Sequence, residues 1–425
     1  MIFYNANVIY RAMNKAVKGS DKSKYSTQLY QVNKLLYTAM LQEALQKGTY
    51  RPSKGQKFVL RERGKTRYIT SNVMADKVVN HMLCDEVLTP ALQRFLIYDN
   101  SASQKGKGVS FHRKRLEKHL RDYFRRNGTN EGYILLGDFS GYYANIRHEV
   151  CSEVLARFLR RSDIEREDLQ IAWRIMYEIF QTFRVDVSRF SAEEIREMYL
   201  GKADAMLNYG IDEKLLTGKK YLCKGVDIGN QISQNIGLVF PYRIDNYVKI
   251  VCGNKYYSRY SDDFRAIART RDELLILLDG VYEIAKDYGV IINKRKTRIV
   301  KLSSFFRHLQ NGYTLADTGK VIRKINPKSV TYERRKLKAY KRLLDHDRIT
   351  YSEIENIFKS WICSNYARMS HRQIYNMAQL YIDLFGRKPK WKMKRGKTRS
   401  RLRWLMEHSS PTWNSTATTS SAKVK

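Results

Sequence analysis

Proline is scarce in this chain, with six among 425 residues, and 43% of the residues are hydrophobic. A chain with that balance buries a sizeable core and is not disordered overall. Cysteine is also sparse. Cys84, Cys151, Cys223, Cys252 and Cys363 are widely scattered, with no Cys-x-x-Cys pair. That pattern fits reduced thiols in a cytosol and excludes an obvious zinc site. The eight histidines show no ligand spacing either. No apolar run approaches the length needed to span a membrane. The start, Met1-Ile2-Phe3-Tyr4-Asn5-Ala6-Asn7, lacks a charged leader, apolar core and cleavage site, so a cytoplasmic location is expected. Negative charge is under-represented most of all: 42 Asp+Glu face 79 Lys+Arg, a formal charge of +37. Such an excess calls for a polyanionic partner, nucleic acid ahead of a membrane surface.

The length suggests two or three domains. Residues 1–50 are polar and helical in flavour, with Leu35, Leu36, Met40, Leu41 and Leu45 as an apolar stripe. Lys57-Phe58-Val59-Leu60 and Arg67-Tyr68-Ile69 read as two strands of a basic hairpin, which is either a solvated edge or a grip for phosphates. A helix at about 73–87 follows. Next comes Gln104-Lys105-Gly106-Lys107-Gly108, where glycines alternating with lysines could bring backbone amides against a phosphate. A basic helix over 111–126 turns Leu116, Leu120 and Phe124 inward. From about 151 to 222 the pattern is helical: Ala172, Ile175, Met176, Ile179, Phe180 and Phe183 recur at helix period, and Ser191 to Glu194 reads as a capping box. Lys224 to Gln234 is a glycine-punctuated turn into a helix of about fifteen residues. A helix spans 272–288 and a strand pair lies near 305–313. Two amphipathic helices follow, marked by Ile354, Ile357, Phe358, Trp361 and Ile362, then by Ile374, Met377, Leu380, Tyr381 and Leu384. Residues 387–403 carry ten Lys/Arg in seventeen, with Trp391 inside the run and Trp404 just after it. The Ser/Thr-rich end from Ser409 reads as disordered.

Two features carry chemistry. Lys255-Tyr256-Tyr257-Ser258-Arg259-Tyr260-Ser261-Asp262-Asp263-Phe264-Arg265-Ala266-Ile267-Ala268 places adjacent aspartates between two strand-prone runs, as at a hairpin tip. Side-by-side carboxylates repel, so fixing them there needs a cation, for which magnesium is the natural candidate; an exposed turn is the other reading. Upstream, the short buried strand Tyr133-Ile134-Leu135-Leu136-Gly137 ends at Asp138. Three carboxylates on separate strands are what a two-metal phosphoryl-transfer site requires, with ions about 3.5–4 Å apart clamping the attacking and leaving oxygens.

In order and flanks these segments resemble the reverse transcriptases. Tyr260-Ser261-Asp262-Asp263 matches that family's Tyr-x-Asp-Asp box, and the likeness runs from about Lys57 to Tyr313. The resemblance implies an α+β, right-hand polymerase fold: an antiparallel palm sheet backed by helices, mixed fingers and a helical thumb. It divides the chain into an N-terminal extension and fingers (1–132), a palm (133–325, with the helical insertion at about 151–222), a thumb (326–386) and a basic, partly disordered tail (387–425). It implies that Asp138 and Asp262 ligate two Mg²⁺ ions, with Mn²⁺ as a possible substitute, and that Asp263 assists. Primer 3′-OH would then attack the α-phosphate of a dNTP. Tyr143 would close against a ribose 2′-OH, Lys65 and Arg67 would hold the triphosphate, and Lys296 would protonate the departing pyrophosphate. Phe306 to Tyr313 occupies the primer-grip position.

Ile228-Gly229-Asn230-Gln231-Ile232-Ser233-Gln234 is similar to the Gly-x-x-x-Ser-Gln box of diversity-generating retroelement enzymes. In that subfamily an apolar residue at the place of Ile228 touches the nascent base pair, which lowers fidelity at adenines, and Arg67 shares in that role. Val226-Asp227 replaces the usual Leu-Pro, and the 151–222 insertion is long, which leaves open a phage-defence enzyme of the abortive-infection or retron-like kind. A non-polymerising, maturase-like RNA-binding protein is a further alternative, against which the intact carboxylates argue. The partners implied are a structured RNA template and primer, dNTPs and a small accessory protein, with no membrane. Lys105 and Lys107, together with Arg395 and Lys397 of the tail, are the candidate nucleic-acid contacts.

Overall fold

The structure, a computed structural model, describes residues 1–62, 65–195 and 221–389. They form two compact units, Met1–Ser304 and a second from Phe305 onward.

The first unit opens with helix α1 (Ala6–Lys18), whose Asn5 cap accepts from the amides of Asn7 and Val8. Val8, Ile9, Ala12, Met13, Ala16 and Val17 recur at helical spacing and are all buried. Helices α2 (Tyr25–Val32) and α3 (Lys34–Gln46) follow. The stripe expected on α3 divides. Leu41 and Leu45 face the core with Thr38, whereas Leu35, Leu36 and Met40 are exposed. At 3.6 residues per turn Leu36 and Met40 fall opposite the 38–41–45 line and Leu35 falls on its flank.

The basic hairpin is present as strands β1 (Gln56–Glu62) and β2 (Lys65–Ser71), in register from Gln56 opposite Ser71 to Glu62 opposite Lys65. Phe58, Val59, Leu60 and Tyr68 are exposed, so both faces of the ribbon meet solvent. Helix α4 (Met74–Met82) runs through a wide turn, Leu83–Leu88, into α5 (Thr89–Gln93). Helix α6 (Val109–Asn127) buries His112, Leu116, His119, Leu120 and Tyr123. Tyr123 takes the inward place expected of Phe124 because its hydroxyl donates to the Glu131 carbonyl at 2.5 Å, under Gly132.

The central sheet has the order β6–β7–β3–β8, all neighbours antiparallel: β3 (Tyr133–Asp138), β6 (Ser258–Tyr260), β7 (Asp263–Ala268) and β8 (Arg298–Lys301). Gly137 lets β3 and β7 close up, since a Cβ there would lie 2.1 Å from the Phe264 ring. Between β3 and β6 lie α7 (His148–Leu159) and α8 (Arg166–Phe183). Ala172, Ile175, Met176, Ile179, Phe180 and Phe183 are all buried, as their period requires. Ser191 and Glu194 exchange the hydrogen bonds of the expected capping box. The 151–222 segment is not wholly helical, however. Strands β4 (Val185–Asp186) and β5 (Tyr221–Leu222) pair across it, where β-branched and aromatic residues favour extended backbone.

Helix α9 (Gln231–Val239) has nine residues rather than about fifteen. Pro241 has no amide to donate and clashes with the preceding turn, so the chain restarts as α10 (Tyr242–Asn246). Helix α11 (Arg271–Tyr288) is capped by Thr270 and ends at Gly289, φ +68°. Its apolar face, from Leu274 to Ala285, packs against the sheet at β7 and β3. The architecture is α+β with antiparallel sheets backed by helices, as expected.

In the second unit, β9 (Phe306–His308), β10 (Asn311–Leu315) and β11 (Val321–Ile325) form an antiparallel sheet in the order β11–β10–β9. The strand pair is thus three strands, because residues 316–320 turn the chain back onto β10. Helices α12 (Pro327–Asp345), α13 (Tyr351–Asn365) and α14 (His371–Phe385) follow, the latter two each opened by a capping box. Their core is Leu337, Ile354, Phe358, Ile362, Ile374, Met377, Tyr381 and Phe385.

Candidate active site

The aspartate pair sits at a hairpin tip. Tyr260 pairs with Asp263 across β6 and β7, leaving Ser261 and Asp262 as a two-residue turn. Ser261 adopts φ +55°, the left-handed region that a side chain other than glycine or asparagine enters only when its surroundings enforce it. Across the sheet Asp138 is in register with Asp263, and the amide of Phe139 donates to the Asp262 carbonyl at 3.0 Å. Three aspartates therefore lie at the same end of two adjacent strands. Asp138 is buried, while Asp262 and Asp263 are half-buried.

Lys296 comes to the same place from the far side. The Asn293 amide donates to the Asp138 carbonyl at 2.8 Å, and Asn293 in turn receives the amides of Lys296 and Thr297. That turn lays the Lys296 ammonium on Asp138, Nζ to Oδ2 at 2.7 Å. Among the described residues no three His, Cys, Asp or Glu side chains already stand as a metal cluster. The donor chemistry nonetheless suits magnesium, being carboxylate oxygen throughout, and the ammonium on Asp138 is a stand-in cation at that carboxylate.

Tyr143, half-buried, lies against Gly237 of α9 and packs edge-on to Tyr142, with centroids 5.3 Å apart. Burial pushes its phenol upward, opposed by a side-chain hydrogen bond with Ser261 of the turn. Tyr143 thus touches the aspartate hairpin directly.

A second group forms where β2 meets the turn before α9. The Thr70 amide donates to the Ile228 carbonyl at 2.9 Å. Gly229 has φ +122°, and a Cβ on it would lie 2.9 Å from both the Thr70 carbonyl oxygen and Ile69 Cγ2. Only glycine fits there. Asn230 caps α9 by accepting from the Ser233 amide at 2.7 Å, and Gln231 donates to Asp85 at 2.7 Å. Burial raises the Asp85 carboxyl, but hydrogen bonds from His81, Lys15 and Gln231 outweigh that and hold it low. The Ile228 side chain is 40% exposed. Phe58, Ile69, Thr70, Gly229 and Gln234 line a cavity of about 410 Å³ beside it. Arg67, two residues before Ile69, is exposed, and Lys65 lies at the tip end of the same strand.

The remaining sequence candidates lie elsewhere. Lys105 is exposed. Lys107 donates to the carbonyls of Tyr98 (2.9 Å) and Asn100 (3.2 Å) and sits over the Tyr98 and Phe111 rings, so its ammonium holds its own loop. Arg395 and Lys397 lie outside the described residues.

Sequence reasoning passed over two buried charge clusters. Arg259 and Asp245 form an ion pair directly behind the aspartate turn. Asp99 collects Arg115, Lys249 and His119, and its backbone carbonyl accepts from the Arg259 amide. The signal was available for the first: a charged residue in a strand flanked by aromatics needs a buried partner.

Among the described residues no helix is long and apolar enough to cross a membrane. Residues 52–332 match the family of reverse transcriptases (RNA-dependent DNA polymerases). No curated protein sequence matches the chain. Among solved structures, the chain is similar to telomerase from Candida albicans in complex with a fragment of telomeric RNA. The identity there is 11%, with 84% of this chain and 61% of that chain covered and a TM-score of 0.42. Apo telomerase from Candida tropicalis gives 13% identity, 84% and 66% coverage and a TM-score of 0.45. A form of it truncated from the C-terminal domain gives 13%, 67% and 58%, and 0.43. The chain spans less than two thirds of the length of each of these three telomerases.

Proposed function

As a member of the reverse transcriptase (RNA-dependent DNA polymerase) family, this chain, we propose, is an RNA-directed DNA polymerase that copies a structured RNA template into cDNA from dNTPs. The observation that carries the reading is the register of Asp138 opposite Asp263, with Asp262 in the turn between β6 and β7. Two Mg²⁺ ions, or Mn²⁺ in their place, held by Asp138, Asp262 and Asp263, would activate the primer 3′-hydroxyl and neutralise charge on the phosphates. Lys296 exchanges Asp138 for the leaving pyrophosphate, to which its ammonium delivers a proton. The Tyr143 ring, wedged between Gly237 and the aspartate turn, excludes a ribose 2′-hydroxyl by bulk. Lys65 and Arg67 on β2 receive the triphosphate, where an arginine fork suits phosphate geometry. In this reading residues 1–132 serve as N-terminal extension and fingers, 133–325 as palm, 326–386 as thumb, and the basic tail and Lys105 contact RNA.

The finer reading is an enzyme of a diversity-generating retroelement, working in the cytoplasm with a small accessory protein. Ile228 supports it: an apolar side chain, 40% exposed, whose carbonyl is bonded to β2, so that it stands beside the strand bearing Arg67. A phage-defence enzyme is the alternative favoured by Val226-Asp227 and the long 151–222 segment. Incorporation of dNTPs on an RNA template separates a polymerase from a maturase-like RNA binder. The error spectrum of the product then separates the subtypes, since adenine-focused misincorporation supports diversification and ordinary fidelity overturns it.

A further inference from the structure

Arg259 immediately precedes Tyr260-Ser261-Asp262-Asp263, and its side chain is completely buried. Asp245 on α10 holds one side of the guanidinium, with Nε to Oδ1 and Nη2 to Oδ2 both at 2.8 Å. The Tyr257 hydroxyl donates to the same carboxylate at 2.8 Å, which fixes its orientation. The other donors go to backbone. Nη1 reaches the Ser261 carbonyl at 2.9 Å, and Nη2 reaches the Leu238 carbonyl at 2.6 Å.

Each of those carbonyls is informative. Ser261 is the left-handed residue of the aspartate turn, a conformation that persists only where neighbours over-determine it. Leu238 lies in the last turn of α9, where carbonyls have no partner within the helix, and its oxygen also accepts from the Asn100 side-chain amide at 3.2 Å. The first turn of α9 carries Asn230, Gln231 and Gln234, and Gly229 before it presses on β2. A buried ion pair is weak evidence for stability, because a well-packed apolar pair of similar volume often does as well. What an apolar pair cannot supply is a planar fork with donors in three directions.

We propose that Arg259, oriented by Asp245, is a positioning residue that locks the Asp262–Asp263 turn to helix α9, so that the metal-binding carboxylates and the Ile228–Gln234 segment keep one fixed relation. The proposal rests on the polymerase reading above. Burial alone would disfavour the Arg259 charge, but Asp245 more than offsets it and holds the guanidinium protonated.

The test replaces the pair by apolar residues, Asp245→Leu with Arg259→Met, in the full chain. Thermal unfolding, template–primer Kd, and kcat and dNTP KM for extension on an RNA template are then measured. The expected result is a folded protein with unchanged template–primer Kd, kcat at least ten-fold lower and a raised dNTP KM. A residue that merely filled the core would leave kcat and KM unmoved once the fold is intact, so a folded double variant with wild-type kcat and KM overturns the proposal. Where the double variant does not fold, Arg259→Lys decides on the same two outcomes. It keeps the charge opposite Asp245 but cannot span all three acceptors. Absence of extension by the wild-type chain would instead overturn the polymerase reading, and so is distinguishable from failure of this one.

Discussion

Substituting Gly229 by alanine probes the join between β2 and α9 with one methyl group. At φ +122° a side chain costs on the order of 1–3 kcal/mol in backbone strain. The added Cβ would also meet the Thr70 carbonyl oxygen and Ile69 Cγ2, both at 2.9 Å. Backbone oxygen does not give way as a flexible side chain does, so the Ile228–Gly229 turn must lift off β2. That move breaks the Thr70 amide to Ile228 carbonyl hydrogen bond, a loss of about 0.5–1.5 kcal/mol. Together these come to about 1.5–4.5 kcal/mol, or roughly 10- to 2,000-fold when read as an equilibrium constant. Because the turn is a surface element beside the proposed nucleotide contacts, most of the loss should appear in dNTP binding rather than folding. Steady-state extension on an RNA template should show dNTP KM raised at least ten-fold, and thermal unfolding should show Tm lowered by no more than about 5 °C. Wild-type KM and Tm together in Gly229→Ala would refute the reasoning.

Removing the ring of Tyr143 by substitution with alanine should raise rNTP incorporation relative to dNTP by about ten-fold or more, scored by competition on one template; an unchanged ratio removes Tyr143 from the sugar-discriminating role. Lys224 offers a pH test. Burial, then repulsion from Arg147, lowers its ammonium to about 8 in the fold, against 10.5 when unfolded. Between those values the unfolded chain binds the extra proton, so stability is depressed at and below pH 8 and rises as pH goes from about 8 toward 10. The full shift corresponds to about 3 kcal/mol at 1.36 kcal/mol per unit. Urea unfolding of Lys224→Met should lack most of that rise, and an identical pH profile in variant and wild type would contradict it.

The fold was legible where one periodicity dominates. Ile134–Gly137 is an uninterrupted apolar run buried on both faces, and the Ala172–Phe183 set repeats at helix spacing. The paired aspartates were legible as a hairpin tip because aromatic strand formers flank them. Local pattern failed where tertiary partners decide. Leu35, Leu36 and Met40 are apolar yet exposed, because the core takes the Thr38–Leu41–Leu45 side of α3. Tyr123 displaces Phe124 through a hydrogen bond to Glu131, eight residues away. The carbonyls of Tyr98 and Asn100 that receive the Lys107 ammonium were likewise not legible from its glycine–lysine spacing. In the site, residue identities were legible and the couplings were not. Nothing in the spacing joins Lys296 to Asp138, 158 positions apart, or Arg259 to Asp245 on another helix.

Asp138, Asp262 and Asp263 are proposed as the reacting centre of an RNA-directed DNA polymerase. Asp262→Asn preserves the volume and the turn between Tyr260 and Asp263 while removing one negative charge. Primer extension on an RNA template with Mg²⁺, measured beside RNA binding by the same preparation, tests it most directly. Extension is expected to be abolished while RNA affinity stays near wild type. Extension by Asp262→Asn at the wild-type rate would contradict it.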